Sequence, residues 1–383
     1  MIRYLTGEEK QTSRWLWQEA FPEDSQGFID YYYKRKTADN RILVKEDEAG
    51  RLLSMAHLNP YRVMVKGRLW ELNYIVGVAT AADSRRQGHM RDMLGKLLLD
   101  LHDEGAPFCY LMPASEGIYL PFGFRFVFDQ PLWQIKKRLP EETRRLELQL
   151  SEEAGTQAGT AAFGSEGEAR DYLASWVNRW LDERFQVYAV RDREYMERLE
   201  EELDSEAGRV YGWYDGDGEL KALQAFWGIG KREQRFLYSM EPDWVEPAKA
   251  DKTEGKSGSL RPAIMARITN AARMMEAIGL NEEAPCSEME VLIRIRDKLI
   301  PGNQGLWRWK LNGKGSCLIP EPVGLAGGSL FSTEVLDIDV ATLTSWLFGY
   351  ERLENLMGEQ EERPPWWCRF AEPIERLFLD EVV

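Results

Sequence analysis

The sequence is poor in the residues that hold metals and disulfides. Of 383 residues, four are cysteines and three are histidines. Cys109, Cys286, Cys317 and Cys368 are scattered and form no CxxC pair. That excludes a zinc ribbon and a disulfide framework. His57, His89 and His102 are too few for a His-rich metal site, so no metal is expected. No apolar run approaches the length that spans a bilayer. The opening Met1-Ile2-Arg3-Tyr4 does not lead into the apolar stretch of a secretory signal. A cytoplasmic protein without a membrane partner is the expectation. Positive charge is also in short supply. Lys and Arg number 49 against 64 Asp and Glu, a net charge of −15. This is the wrong sign for nucleic acid. It suits a cationic amine, and it equally serves solubility.

What is present is enough apolar surface for ordinary packed cores: 44% of all residues are hydrophobic and 11% are aromatic. The length suggests two or three domains. Composition changes near residue 150, where Ser151–Gly167 turns rich in Glu, Gly, Ala and Thr, and again at the polar stretch Pro247–Ser259. Regions 1–150, 151–258 and 259–383 follow from these breaks. The first reads as two aromatic-rich helical segments over 1–34 and then a meander of strands. These are Arg41–Lys45, Leu52–Leu58, Tyr61–Val65 and Leu69–Thr80, separated by Gly-containing turns. The second holds helices near Ala169–Trp180 and Asp192–Glu202 and three strands. The third opens with a helix at Ile268–Ile278 and ends in an apolar tail, Trp366 to Val383, that is expected to dock inside the fold.

One segment carries chemistry. The strand-like run Leu72–Thr80 enters a turn, Arg85-Arg86-Gln87-Gly88-His89-Met90, and a helix follows at once. Met90, Met93, Leu94, Leu97, Leu98 and Leu101 form its buried stripe. A strand, a Gly turn and a helix start in that order make an anion site. The first N–H groups of the helix lack intrahelical partners, and the helix dipole favours negative charge. Arg209-Val210-Tyr211-Gly212 matches the same short pattern. It has no helix after it, so it offers no such site.

Val76–Thr80 with Arg85–Arg91 resembles the acetyl-CoA motif of GNAT-type N-acetyltransferases. Ala114–Phe124, with Tyr119 at its centre, is similar to the stretch that bears the catalytic tyrosine in the Eis (enhanced intracellular survival) subgroup. The resemblance implies an α+β protein. It would comprise a catalytic GNAT domain, a second GNAT-like domain without a cofactor site, and a sterol-carrier-protein-like C-terminal domain. It implies acetyl-CoA as cosubstrate, with the backbone of Val78 and Thr80 on its pantetheine arm. Arg85, Arg86, Gln87, Gly88, His89 and Met90 would hold its pyrophosphate. GNAT sequences prefer Gly or Ala where Met90 stands; the Eis subgroup accepts a larger residue.

The implied reaction is direct transfer to a primary amine of a small polycation, of aminoglycoside type, in a homo-hexamer. The carboxylate of Val383 would act as base. Tyr119 would protonate the departing thiolate, the reference pKa values being about 10 and 8.5. The alternatives are acetylation of peptide lysines, or a non-catalytic carrier of an apolar ligand in the C-terminal domain. Trp15, Trp17, Phe28 and Tyr32 read as core before pocket. Glu19, Glu23, Asp24, Asp380 and Glu381 read as a solvated face or as attractors of a cationic amine. His89 and His102 read as structural. Lys252–Gly258 lacks the spacing of a phosphate loop.

Overall fold

The computed structural model describes residues 1–148, 166–248, 260–321, 334–358 and 363–381. The polar stretches read at Ser151–Gly167 and Pro247–Ser259 fall almost wholly outside them. So do the last two residues, Val382 and Val383.

The meander forms as its alternation requires. Strands Arg41–Glu46, Leu52–Val65 and Arg68–Thr80 pair antiparallel in sequence order. Two sequence readings change here. Ile2–Tyr4 is a strand on Arg41–Glu46, not the start of a helix. The two strands read at Leu52–Leu58 and Tyr61–Val65 are one, running through an exposed Pro60. Its outer edge pairs with Arg41–Glu46 up to Leu58 and with Val187–Ala189 from Val63 on. Residues 59–62 have no strand on that side. A residue without an N–H is tolerated where the ladder is interrupted.

The sheet draws on all three regions. It has nine strands. Leu260–Ile268 lies between Phe108–Leu111 and Arg125–Pro131, antiparallel to both. The sequence places this stretch at the head of the third region and predicts a helix from Ile268 on. The helix there is only Ala271–Met275. Leu377–Phe378, near the end of the chain, pairs with Val187–Ala189. Helix His89–Asp103 covers one face and buries Met93, Leu94, Leu97, Leu98 and Leu101 against Leu43, Ala56, Leu58 and Ile75. Helices Arg14–Ala20 and Gln26–Arg35 cover another part of the sheet. Trp17, Phe28 and Tyr32 are core there, while Trp15 is partly exposed.

The second region has its own antiparallel sheet, in the order Glu233–Ser239, Leu220–Trp227, Arg209–Tyr214 and Arg144–Leu148, with helices Glu166–Asp182 and Arg193–Ser205. The third has strands Gly315–Pro320, Gly305–Asn312, Glu288–Arg296 and Val335–Asp339, the last pair parallel. Its core holds Trp309 edge-on to Trp346 and Trp367, with ring centroids 6.2 and 5.9 Å apart.

Candidate active site

The site begins at a fork. Strands Arg68–Thr80 and Phe108–Leu111 run parallel, yet Tyr74 and Tyr110 are their single register pair. Beyond that point the first strand continues to Thr80 without a strand on that side. Backbone polar groups without a ladder partner need another one when water is excluded, and the Thr80 carbonyl has Arg85.

A bulge accompanies the fork. Met55 pairs with Ala79 and His57 with Val76, so Gly77 and Val78 together face Ala56. Gly77 has φ +59, and a Cβ there would meet the Trp17 ring at 2.5 Å. Only glycine satisfies both demands. The bulge falls within the stretch of strand that has no neighbour on the fork side.

The turn after Thr80, which is the cradle expected from sequence, leads through Ala82–Ser84 into the His89–Asp103 helix. Gly88 caps the His89–Asp103 helix with φ +83, and nothing lies within 4 Å of where a Cβ would stand. Arg85 folds back, its Nε donating to the Thr80 carbonyl at 3.2 Å. Gln87 Nε2 donates to the Asp83 carbonyl at 3.3 Å. Arg86, at φ +62, makes no ion pair among the described residues. Residues 85–88 are exposed, while His89 and Met90 are half-buried at the helix start. His102 Nδ1 lies 3.0 Å from the Thr269 carbonyl, a structural contact.

Tyr119 closes the helical turn Glu116–Tyr119. It is buried among the side chains under the His89–Asp103 helix and edge-on to Phe124 at 5.8 Å. Burial pushes its hydroxyl up to about 12. Its hydroxyl has no hydrogen-bond partner among the described residues. The turn is tethered from afar. Arg267 Nε donates to the Phe122 carbonyl at 2.6 Å, and its guanidinium pairs with Asp297 at 2.8 Å, both side chains fully buried.

A cavity of about 240 Å³ occupies the gap in the sheet edge at residues 59–62. Its wall residue Tyr61 lies one ring from the fork, 6.3 Å from Tyr74, whose ring is 5.4 Å from Tyr110. Several lining charges pair with each other: Arg198 with Asp39 and Glu194, Arg62 with Asp192, and Arg235 with Glu202. Lys36 is buried and donates to the Tyr61 hydroxyl at 3.1 Å. Glu71, also in the lining, is exposed and makes no ion pair among the described residues.

The tail corrects one reading. Asp380 and Glu381 are not a solvated acidic face. Both are buried and held by Arg191, at 2.5 and 2.9 Å. Asp24 is likewise engaged, accepting from Trp17 Nε1 at 2.7 Å, and Glu19 accepts from the Ala82 N–H at 2.7 Å. Val383, the expected base, lies outside the described residues. No group of three or more His, Cys, Asp or Glu among the described residues is placed to hold a metal. No described helix is long and apolar enough to cross a membrane.

The sequence reading of a strand, a turn at Arg85–Gly88 and a helix in that order is what the structure has. It missed the bulge at Gly77, whose one signal was a glycine inside a strand pattern. It also missed Arg191, Arg267 and Lys36, which carry no local signal.

Residues 1–127 match the family model of the acetyltransferase (GNAT) domain. The chain carries a GNAT acetyltransferase domain. Residues 272–360 match the sterol carrier protein domain. No curated protein matches the chain. Among solved structures, it is similar to a probable N-acyltransferase from Enterococcus faecalis V583 (15% identity, covering 100% of this chain and 99% of that one, TM-score 0.70). It is also similar to a GCN5-related N-acetyltransferase from Kribbella flavida (15% identity, 100% of both chains, TM-score 0.66). A third is Eis1 from Mycobacterium abscessus (13% identity, 100% and 99%, TM-score 0.66). These likenesses show a shared fold over the whole chain. The fork, bulge and cradle all fall inside the GNAT domain.

Proposed function

We propose that this protein transfers the acetyl group of acetyl-CoA to a primary amine. The observation that carries the proposal is the fork opening at Tyr74–Tyr110 and leading, through the short turn Ala82–Ser84, into the Arg85–Met90 segment at the start of a helix. The strand edge at Val78 and Thr80, which has no neighbouring strand on the fork side, suits the amide-bearing pantetheine arm, with Arg85 already on the Thr80 carbonyl. The exposed arginines and the helix start suit the pyrophosphate. Arg85, Arg86, Gln87, Gly88, His89 and Met90 are the residues assigned to it.

An alkyl amine titrates near ~10 and arrives protonated at neutral pH. A base must therefore take a proton before nitrogen can attack the thioester carbonyl. We assign that base to a carboxylate of the C-terminal tail; the resemblance names that of Val383. As the C–S bond breaks, Tyr119 meets the developing sulfur charge. A phenol held at about 12 stands well above a thiol near 8.5. Complete proton transfer would be uphill by roughly 3.5 units, about 5 kcal/mol. Its part is thus hydrogen-bond donation to the sulfur in the transition state, which stabilises charge where it forms.

The cavity beside Tyr61 is our candidate for the acceptor. Its position one ring from the fork, the exposed carboxylate Glu71 and the net charge of −15 support a small cationic amine. Aminoglycoside-like polyamines are the acceptors to try first. The tryptophan-filled core of the sterol carrier protein domain supports a structural part for it over carriage of an apolar ligand. Hexamer assembly belongs to this proposal on the resemblance alone. Calorimetric titration with acetyl-CoA tests the cofactor site, and thiol release over an amine panel tests the reaction. Absence of binding at millimolar acetyl-CoA would sink the reading.

A further inference from the structure

The cavity at residues 59–62 is lined by buried donors that no acceptor answers. Lys36 lines it and is only 8% exposed. An ammonium has three protons to give. One of them goes to the Tyr61 hydroxyl at 3.1 Å, and the nitrogen lies 5.4 Å from the centre of that ring. Lys36 makes no ion pair among the described residues. Tyr61, having accepted from Lys36, keeps its own proton to donate. Asn59 is in the same lining and 2% exposed. Its Oδ1 accepts from the Tyr32 hydroxyl at 3.0 Å and from Asn40 Nδ2 at 3.3 Å. Its Nδ2 is buried and has no partner. Orphaned buried polar groups are rare, and each calls for a function or an unseen partner.

The carboxylates around Lys36 are engaged elsewhere. Glu202 holds Arg235 at 2.9 Å, Asp39 and Glu194 hold Arg198 at 2.7 and 2.6 Å, and Asp192 faces Arg62 at 3.4 Å. Glu202 and Glu381 favour the charge on Lys36 from further off, while Arg235 and Arg198 oppose it. Burial lowers its pKa from the ordinary value, the mark of a cation taken out of water without a counter-charge. Two lining charges are therefore left without an ion pair, Lys36 inside and Glu71 exposed. Their signs are opposite. The volume of about 240 Å³ lies below the ~300 Å³ at which pockets for drug-sized ligands begin, so the occupant is small.

We propose that the acceptor is a small amine that also bears a carboxylate, and that Lys36, with Asn59 beside it in the lining, selects it by donating to that carboxylate. This rests on the assignment of the cavity to the acceptor made above. A polyamine can meet Glu71 but brings nothing for Lys36. An alkylamine leaves the buried ammonium as it was. An amino carboxylate supplies the missing counter-charge, and a charge-assisted hydrogen bond in a water-poor cavity is among the stronger polar contacts. A site built to bond a polar group also rejects an analogue that lacks it, because its own donors are then left unpaired. Lys36 is in this sense a specificity-determining residue. It takes no part in the transfer step.

The test compares three straight-chain probes of equal length in the full-length protein: an ω-amino carboxylate, the alkylamine and the α,ω-diamine. Thiol release from acetyl-CoA is the readout. The amino carboxylate should have the highest kcat/KM, at least tenfold above the alkylamine. K36M keeps the length of the side chain and loses its charge. It should bring that ratio to within threefold of one, through a raised KM for the amino carboxylate. Pentanoate, which has no amine to react, should bind the wild-type protein in calorimetry at millimolar concentration and bind K36M at least tenfold more weakly. K36Q gives the same readings if K36M does not fold. The proposal is overturned if the alkylamine or the diamine matches the amino carboxylate in the wild type, or if K36M keeps the preference. If no amine releases thiol, or acetyl-CoA does not bind, the acetyltransferase reading fails instead. The pentanoate titration then decides by itself whether Lys36 receives a carboxylate, and equal binding by wild type and K36M overturns that too.

Discussion

At the scale of single residues, Tyr119 is the most exposed to test. Its side chain is buried, and its hydroxyl is unpartnered among the described residues and pushed up to about 12. A group so placed keeps its proton throughout the range in which the protein works. Tyr119→Phe should therefore lower kcat at least tenfold while leaving acetyl-CoA affinity within a factor of two. The sign of the pH effect follows. A raised pKa keeps the donor competent as pH rises, so any alkaline loss of rate between pH 8 and 10 should persist unchanged in the variant. A limb that vanished in the phenylalanine form would show that Tyr119 titrates lower than its burial allows. Tyr119 was legible in the sequence only through a family resemblance. Arg191 was not legible at all, because a lone arginine beside Val190 has no periodicity to read. Its meaning arises when the tail, 190 residues later, returns to it.

At the scale of elements, the decisive piece is strand Leu260–Ile268. It brings Arg267 under the Tyr119 turn, where the guanidinium binds the Phe122 carbonyl and Asp297. Burial pulls the Arg267 pKa down, and the Asp297 carboxylate opposes that pull. Removing one partner of a buried pair leaves an uncompensated charge. Asp297→Ala should cost about 3–5 kcal/mol of stability in urea unfolding. Turnover at a temperature where the variant stays folded should fall as well, since the turn loses its tether. Asp297→Asn should be milder. The strand itself was hard to place from sequence for a physical reason. Alternation tells which residues face a core, yet nothing local tells a strand which edge it will join. The helix His89–Asp103, by contrast, was readable almost to the residue, because its apolar stripe and its glycine cap are local features.

At the scale of the whole molecule, composition divided the chain into three and the sheet joins the parts again. Strands Val187–Ala189, Leu260–Ile268 and Leu377–Phe378 all belong to the sheet that bears the fork. The N-terminal domain therefore lacks part of its own sheet when cut away. Scanning calorimetry of the intact chain should show one cooperative transition. A fragment of residues 1–148 should expose apolar surface and aggregate. Three separable transitions, or a soluble and cooperative fragment, would contradict this. The break in the sheet at residues 59–62 has a further consequence. An open strand edge is ordinarily a template for another chain. Here the open stretch is fenced at both ends by paired strands, so an incoming strand has no room to lie down, whereas a small molecule does. The protein thus keeps a hollow within its largest sheet while remaining guarded against adhesion at that very place.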